Sequence, residues 1–152
     1  MTRVSRFVAA PPAAVYAALL DPDSVQRWRV PDDMKSEVHR LEPREGGELR
    51  VSLTYLDPDR RGKTSGRTDT YRGRFLQLVP GKLVVEEIEF ETDDPALRGV
   101  MKITTELTAA ASGVGTEVTM LHEGLPDAVS RSDNELGTRM ALDKLARLLE
   151  EE

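Results

Sequence analysis

Apolar and polar residues alternate in short stretches through the middle of this chain and give way to a helical period only near its end. Leu49, Val51, Leu53 and Tyr55 alternate with Arg50, Ser52 and Thr54, the two-residue period of a half-buried strand. Tyr71, Gly73 and Phe75 repeat the pattern against Thr70, Arg72 and Arg74, and Met101, Ile103, Thr105 and Leu107 repeat it against Lys102, Thr104 and Glu106. Strands are also predicted at Val4 to Val8, Lys82 to Phe90 and Glu117 to Glu123, the last with Val118, Met120 and His122 on one side. Turn signals separate them at Gly46-Gly47, Asp57 to Gly66, Pro80-Gly81, Asp93-Asp94-Pro95 and Ser112-Gly113-Val114-Gly115.

Helices are predicted in two places. Pro11-Pro12 end the first strand, because proline gives no ladder hydrogen bond and suits a helix start. The alanine-rich run Ala13 to Leu20 follows. Asp21 is placed to cap a second short helix, with Pro22 in its first turn and its end near Trp28. Beyond Pro126 and Asp127, the residues Thr138, Ala141, Leu142, Leu145, Leu148 and Leu149 fall on one face of a long helix, with Leu136 and Met140 off that stripe. Acidic residues Glu150 to Glu152 oppose the helix dipole at its C-terminus and predict fraying there. Consecutive strands with short turns make an antiparallel meander, and such a sheet buries one face. The architecture is therefore α+β: a curved antiparallel sheet of about six to seven strands wrapped on a long C-terminal helix, with two short helices after the first strand. A strongly curved sheet gripping a helix leaves room for a cavity between them.

The residues also resemble a known group. Val15-Tyr16-Ala17-Ala18-Leu19 with Asp21-Pro22 and Arg27-Trp28, Gly73-Arg74-Phe75 ahead of Pro80, His122-Glu123-Gly124, and Gly137 ahead of Ala141-Leu142-Asp143-Lys144-Leu145 are similar to the pattern of the activator of Hsp90 ATPase homologues. That group lies within the START/Bet v 1-like (SRPBCC) superfamily. The resemblance covers nearly the whole chain and implies one helix-grip domain over residues 1–152 and a cavity for apolar or amphipathic small molecules. The group often carries two adjacent tryptophans where this chain has Trp28-Arg29, and Gly-Trp where it has Gly137-Thr138.

Composition narrows the function classes. A chain of 152 residues suits one domain with a sizeable core. There is no cysteine, which excludes disulfides, thiolate metal sites and Cys nucleophiles. The net charge of −6, from 27 acidic against 21 basic residues, argues against nucleic acid as a partner. The dense basic run Arg60-Arg61-Gly62-Lys63, with Arg67 nearby, reads as a solvated hairpin tip. No apolar run is long enough for a membrane span or a secretory signal. A cytoplasmic location is the resulting expectation. A homodimer is compatible with the chain, and a chaperone partner enters only through the group's name.

Few residues offer chemistry. Of the two histidines, His39 sits among charges, while His122 shares the predicted inward face with Val118 and Met120. It is either a polar handle for a ligand, a proton donor, or a histidine satisfied at the strand end. No Gly-x-Ser-x-Gly turn is present. Asp32-Asp33 and Asp93-Asp94 read as turn formers rather than a calcium site, and no cofactor or metal is expected. Gly73 either bends the sheet or opens room for a ligand beside Tyr71; Gly137 poses the same choice in the helix. In Val84-Val85-Glu86-Glu87-Ile88-Glu89-Phe90, Glu86 points inward if Val84, Ile88 and Phe90 do, and would then need a partner or a raised pKa. The rarity of buried glutamate favours the register that leaves it solvated. Trp28 either lines the cavity entrance or pins the second helix.

The function expected is small-molecule binding in a largely apolar cavity. Its expected lining is Tyr55, Tyr71, Phe75, Met101 and Met120, then His122, Thr138 and Leu142, with Trp28 at the entrance. Two alternatives stand beside it. One is a cavity enzyme of cyclase or dehydratase type, using His122 with Glu86 or Tyr71. The other is a co-chaperone-like interaction domain with an exposed docking patch.

Overall fold

The computed structural model describes residues 1–62, 66–111 and 113–150. Lys63 of the basic run, Ser112 of the last turn and Glu151-Glu152 of the expected frayed end lie outside the described residues. Strand β1 (Thr2–Val8) leads into helices α1 (Pro12–Leu20) and α2 (Pro22–Trp28). Strands β2 (Met34–Leu41), β3 (Glu48–Tyr55), β4 (Thr68–Val79), β5 (Leu83–Phe90), β6 (Met101–Ala109) and β7 (Thr116–Glu123) follow, and α3 (Arg131–Glu150) ends the chain.

Local chemistry accounts for the starts and stops. Pro12 opens α1, and the Asp21 side chain accepts from the Ser24 amide at 3.0 Å to cap α2. The Pro80-Gly81 turn joins β4 to β5, with Gly81 at φ 72°, a conformation open to glycine at little cost. All seven strands form one antiparallel sheet in the order β1-β7-β6-β5-β4-β3-β2. The meander thus closes by laying the first strand against the last, Val4 opposite Met120.

Helix α3 buries Thr138, Ala141, Leu142, Leu145 and Ala146 at the spacing of a single face. Ala141, Leu142, Leu145 and Ala146 join Val4, Val8, Phe75, Ile103 and Val118 from the sheet in one core cluster, with Val15 and Leu19 from α1. Burying an aliphatic side chain of this kind contributes about 1.5–3 kcal/mol. Phe75 and Leu142, 1% and 0% exposed, belong wholly to this core.

Strand β2 answers to no run singled out in the sequence. Its face toward the core offers only Met34, Ser36, Val38 and, past a bulge, Leu41, and it pairs on one side alone among the described residues, with β3. Strand β5 settles the register left open above, and corrects the favoured choice. Glu87 and Glu89 face outward, held by Arg74 at 2.7 Å and Arg72 at 3.3 Å on the neighbouring strand. Val84, Glu86 and Ile88 are buried on the other face. The bulge that would have shifted β5 lies instead in β4, between Phe75 and Gln77.

Candidate functional site

The region between sheet and helix divides into a packed half and an open half. Toward the second half, the inner face of the sheet and α3 separate around a cavity of about 510 Å³. Leu53, Ile88, Phe90, Met101, Ile103 and Met120 give it an apolar sheet wall. On the helix side Asn134, Gly137, Thr138 and Ala141 border it, again at helical spacing. Thr138 presents its methyl group rather than a donor, since its hydroxyl donates to the Asn134 carbonyl one turn back at 2.7 Å.

Gly137 has only the Pro31 ring near the position of a Cβ, at 3.8 Å, so no close helix packing requires a glycine there. Its effect is space beside the cavity. Gly73 is the opposite case. A Cβ at that position would lie 1.9 Å from the Glu87 carbonyl oxygen, so the glycine serves the close approach of β4 and β5 and the curvature of the sheet.

One end of the cavity is polar. Arg29 follows the last turn of α2, where the related group often has a second tryptophan, and its guanidinium donates to the Glu86 carboxylate. Both side chains are withdrawn from solvent, at 12% and 4% exposure. The guanidinium carbon also stands 5.5 Å from the centre of the Tyr71 ring. Burial works against the charge on Arg29, but the facing Glu86 carboxylate, with smaller help from Tyr71, outweighs it and holds Arg29 protonated beyond its ordinary range. Burial, first, and then Glu86 raise the Tyr71 phenol, against the opposing pull of Arg29, so it stays a neutral O–H. Burial and the Arg29 charge push His122 down to about 4, leaving a neutral imidazole near neutral pH.

Strand pairing sets these groups side by side. Phe75, Glu86, Ile103 and His122 are successive partners across β4, β5, β6 and β7. Tyr71 stands two inward positions before Phe75 on β4, with Gly73 between them. Two atoms in this end are buried and lack a hydrogen-bond partner among the described residues: Tyr71 Oη and His122 Nδ1. Each such orphan costs about 1–3 kcal/mol relative to a satisfied group.

The Val30–Asp33 segment borders the cavity and is tied down on both sides. Lys144 of α3 donates to the Val30 carbonyl at 2.9 Å and pairs with Asp32 at 3.1 Å. Arg60, from the loop after β3, pairs with Asp33 at 2.8 Å and stacks 4.4 Å from the centre of the Tyr55 ring. Arg60 is thus held over the cavity rim, whereas the sequence reading left it in a solvated tip.

Of the residues expected to line a cavity, Tyr55, Tyr71, Met101, Met120, His122 and Thr138 border this one, and so does Trp28. Trp28 is not at an entrance. It is 1% exposed, and its indole N–H donates to the Ala18 carbonyl at 3.0 Å, so one ring both fastens α2 to α1 and walls the cavity. Phe75 and Leu142 lie outside the cavity wall because α3 packs directly onto the sheet at that level. Sequence reasoning did not single out Arg29, which borders the cavity, and misplaced Glu86. The available signal was the unbroken two-residue period Val84, Glu86, Ile88, Phe90.

A curled antiparallel sheet holding a C-terminal helix, with two short helices after the first strand and a cavity under the grip, is the helix-grip architecture of the SRPBCC-type proteins. A profile of the family described as activator of Hsp90 ATPase homolog 1-like protein matches residues 9–150, and the chain belongs to that family. Among solved structures, a protein of Chromobacterium violaceum is similar at 32% identity, with 97% of this chain and 95% of that one covered and a TM-score of 0.83. A protein of Rhodobacter sphaeroides shares the fold at 24% identity, 97% and 91% coverage and a TM-score of 0.73. One of Arthrobacter aurescens shares it at 18% identity, 99% and 86% coverage and 0.77. No curated protein matches the sequence. Among the described residues, no helix is long and apolar enough to cross a membrane.

Proposed function

We propose that this chain is a small-molecule-binding domain whose ligand occupies the cavity between the sheet and α3. The observation that carries the reading is the composition of that cavity: about 510 Å³ of space with a mostly apolar wall and a few polar groups gathered at one end. That combination characterises small-molecule sites, which commonly span about 300–1,000 Å³. An apolar ligand body would rest against Met101, Ile103 and Met120 and the α3 face at Gly137, with its other end toward Arg29, Tyr71 and His122.

Binding has more support here than turnover. An acid–base pair built on His122 would draw on Tyr71 or Glu86. The Glu86 carboxylate is committed to Arg29, and Tyr71 Oη and His122 Nδ1 make no hydrogen bond to each other. The test is native mass spectrometry of the purified protein, followed by release and identification of any bound molecule. The expected outcome is a one-to-one adduct that disappears in Gly137→Leu, whose branched side chain projects into the cavity. A protein that emerges empty, and that also takes up no apolar probe such as naphthalene, overturns the reading.

A further inference from the structure

Arg29 starts on the helical side of the cavity and reaches the sheet. It follows α2, yet its guanidinium donates to Glu86 on β5 and stands 5.5 Å from the centre of the Tyr71 ring on β4. Glu86 and Tyr71 are both buried on the inner face of the sheet, so the guanidinium lies under the grip, where Arg29 borders the cavity. Only Nη2 is engaged, by the Glu86 carboxylate; Nε and Nη1 donate to no described residue. Nor are those two nitrogens closed off. The buried side-chain atoms without a partner among the described residues are Ser36 Oγ, Tyr71 Oη and His122 Nδ1, and the Arg29 side chain keeps 12% of its surface accessible. A guanidinium offers five N–H donors in a fixed plane and no acceptor.

Whatever meets those donors must accept, and charge narrows the choice. Both Arg residues that border the cavity are matched by a carboxylate, Arg29 by Glu86 and Arg60 by Asp33. An anionic head would therefore find neither guanidinium unpaired, and would lose its hydration without a compensating charge. A cationic head brings a like charge and no acceptor to Arg29. A hydroxyl accepts, but it carries an O–H that a guanidinium cannot take. A carbonyl oxygen has two lone pairs and no donor left over.

We infer that the cavity selects an uncharged ligand with a carbonyl group, a ketone or an ester, whose oxygen accepts from the unused N–H groups of Arg29. A bond from a charged donor is stronger than one between neutral groups, and more so where little water competes. Glu86 is then a positioning residue. By holding Nη2 it fixes the plane in which the remaining donors lie, and it balances the charge, so that the ligand supplies an acceptor and no counter-ion.

The inference rests on the ligand-binding reading above, and the test separates the two. 2-Acetonaphthone and 2-isopropenylnaphthalene share one shape and differ in a single group, C=O against C=CH2, while 2-naphthoate adds a charge. Their affinities for the intact chain are measured by equilibrium dialysis at neutral pH. The ketone is expected to bind about tenfold more tightly than the alkene, the worth of a hydrogen bond from a charged donor, with 2-naphthoate the weakest. The infrared carbonyl stretch of the bound ketone is expected at or below its frequency in water and well below that in hexane, a readout that needs no variant. In Arg29→Met with Glu86→Leu, whose folding is checked by its thermal melt, the advantage of the ketone should disappear. Equal or tighter binding of the alkene by the unaltered chain, a hexane-like stretch, or tightest binding of 2-naphthoate overturns the carbonyl head while leaving the cavity reading intact. An advantage that survives in the folded double variant overturns the role of Arg29. If none of the three binds, both readings fall together.

Discussion

Removing one partner from the Arg29–Glu86 pair strands the other charge in a site nearly closed to water. Uncompensated buried charges of this kind cost about 3–5 kcal/mol, whereas replacing both partners by apolar groups is often neutral. Arg29→Met is therefore expected to lower the unfolding free energy by about 3 kcal/mol or more, and Arg29→Met with Glu86→Leu to recover most of it. Urea titrations of the two variants and the parent measure this directly. A double variant as unstable as the single one would sink the account. His122 gives a pH signature at the same scale. Its folded value of about 4 lies below the roughly 6.5 of an unfolded histidine, so the unfolded chain takes up a proton first as pH falls. The resulting stability is whole above about pH 6.5 and is lost between there and about 4, on the order of 3 kcal/mol in all. His122→Asn keeps a polar atom near Nδ1 but does not titrate, so its stability relative to the parent should rise across that window. A flat difference would show that Arg29 and burial do not act on this ring as described. These groups were only half legible in the sequence. The inward period of β5 was on the page, but the partner that makes a buried Glu86 tolerable lies 57 residues away and reaches it only through the docking of α2.

The elements of the fold were legible where amphipathic period and turn chemistry agreed. Asp21 and Pro22 mark α2, and the α3 stripe from Thr138 to Leu145 is the buried face. Strand β2 escaped because Lys35, Glu37, His39 and Arg40 leave too little apolar contrast on an edge strand. Curvature escaped too, since a bulge between Phe75 and Gln77 follows from packing rather than from any local period. The two glycines make this difference measurable. Gly73→Ala drives a methyl into the Glu87 carbonyl and should destabilise by about 1–3 kcal/mol. Gly137→Ala has open space and a helical backbone, and should stabilise by up to about 1 kcal/mol while narrowing the cavity. Thermal melts of the two variants should shift in opposite directions, and shifts of the same sign would contradict the roles assigned to them.

At the scale of the whole molecule, the order of segments carried the architecture and the family, because each weak motif stood at its proper distance from the next. What the order could not carry was the contents of the grip, which depends on side chains brought together from α2, β4, β5 and β7. The same closure has a kinetic side. Among the described residues strand β1 pairs with β7 alone, so Thr2 waits for His122 and Val8 for Thr116. During synthesis the first strand therefore leaves the ribosome long before its neighbour exists. The sheet edge it forms stays unpaired until more than a hundred further residues have emerged. Contacts of such long range make for slow folding relative to a helical bundle of similar length. They also mean that a nascent chain halted before β7 presents an open strand edge, the kind of surface that invites wrong partners.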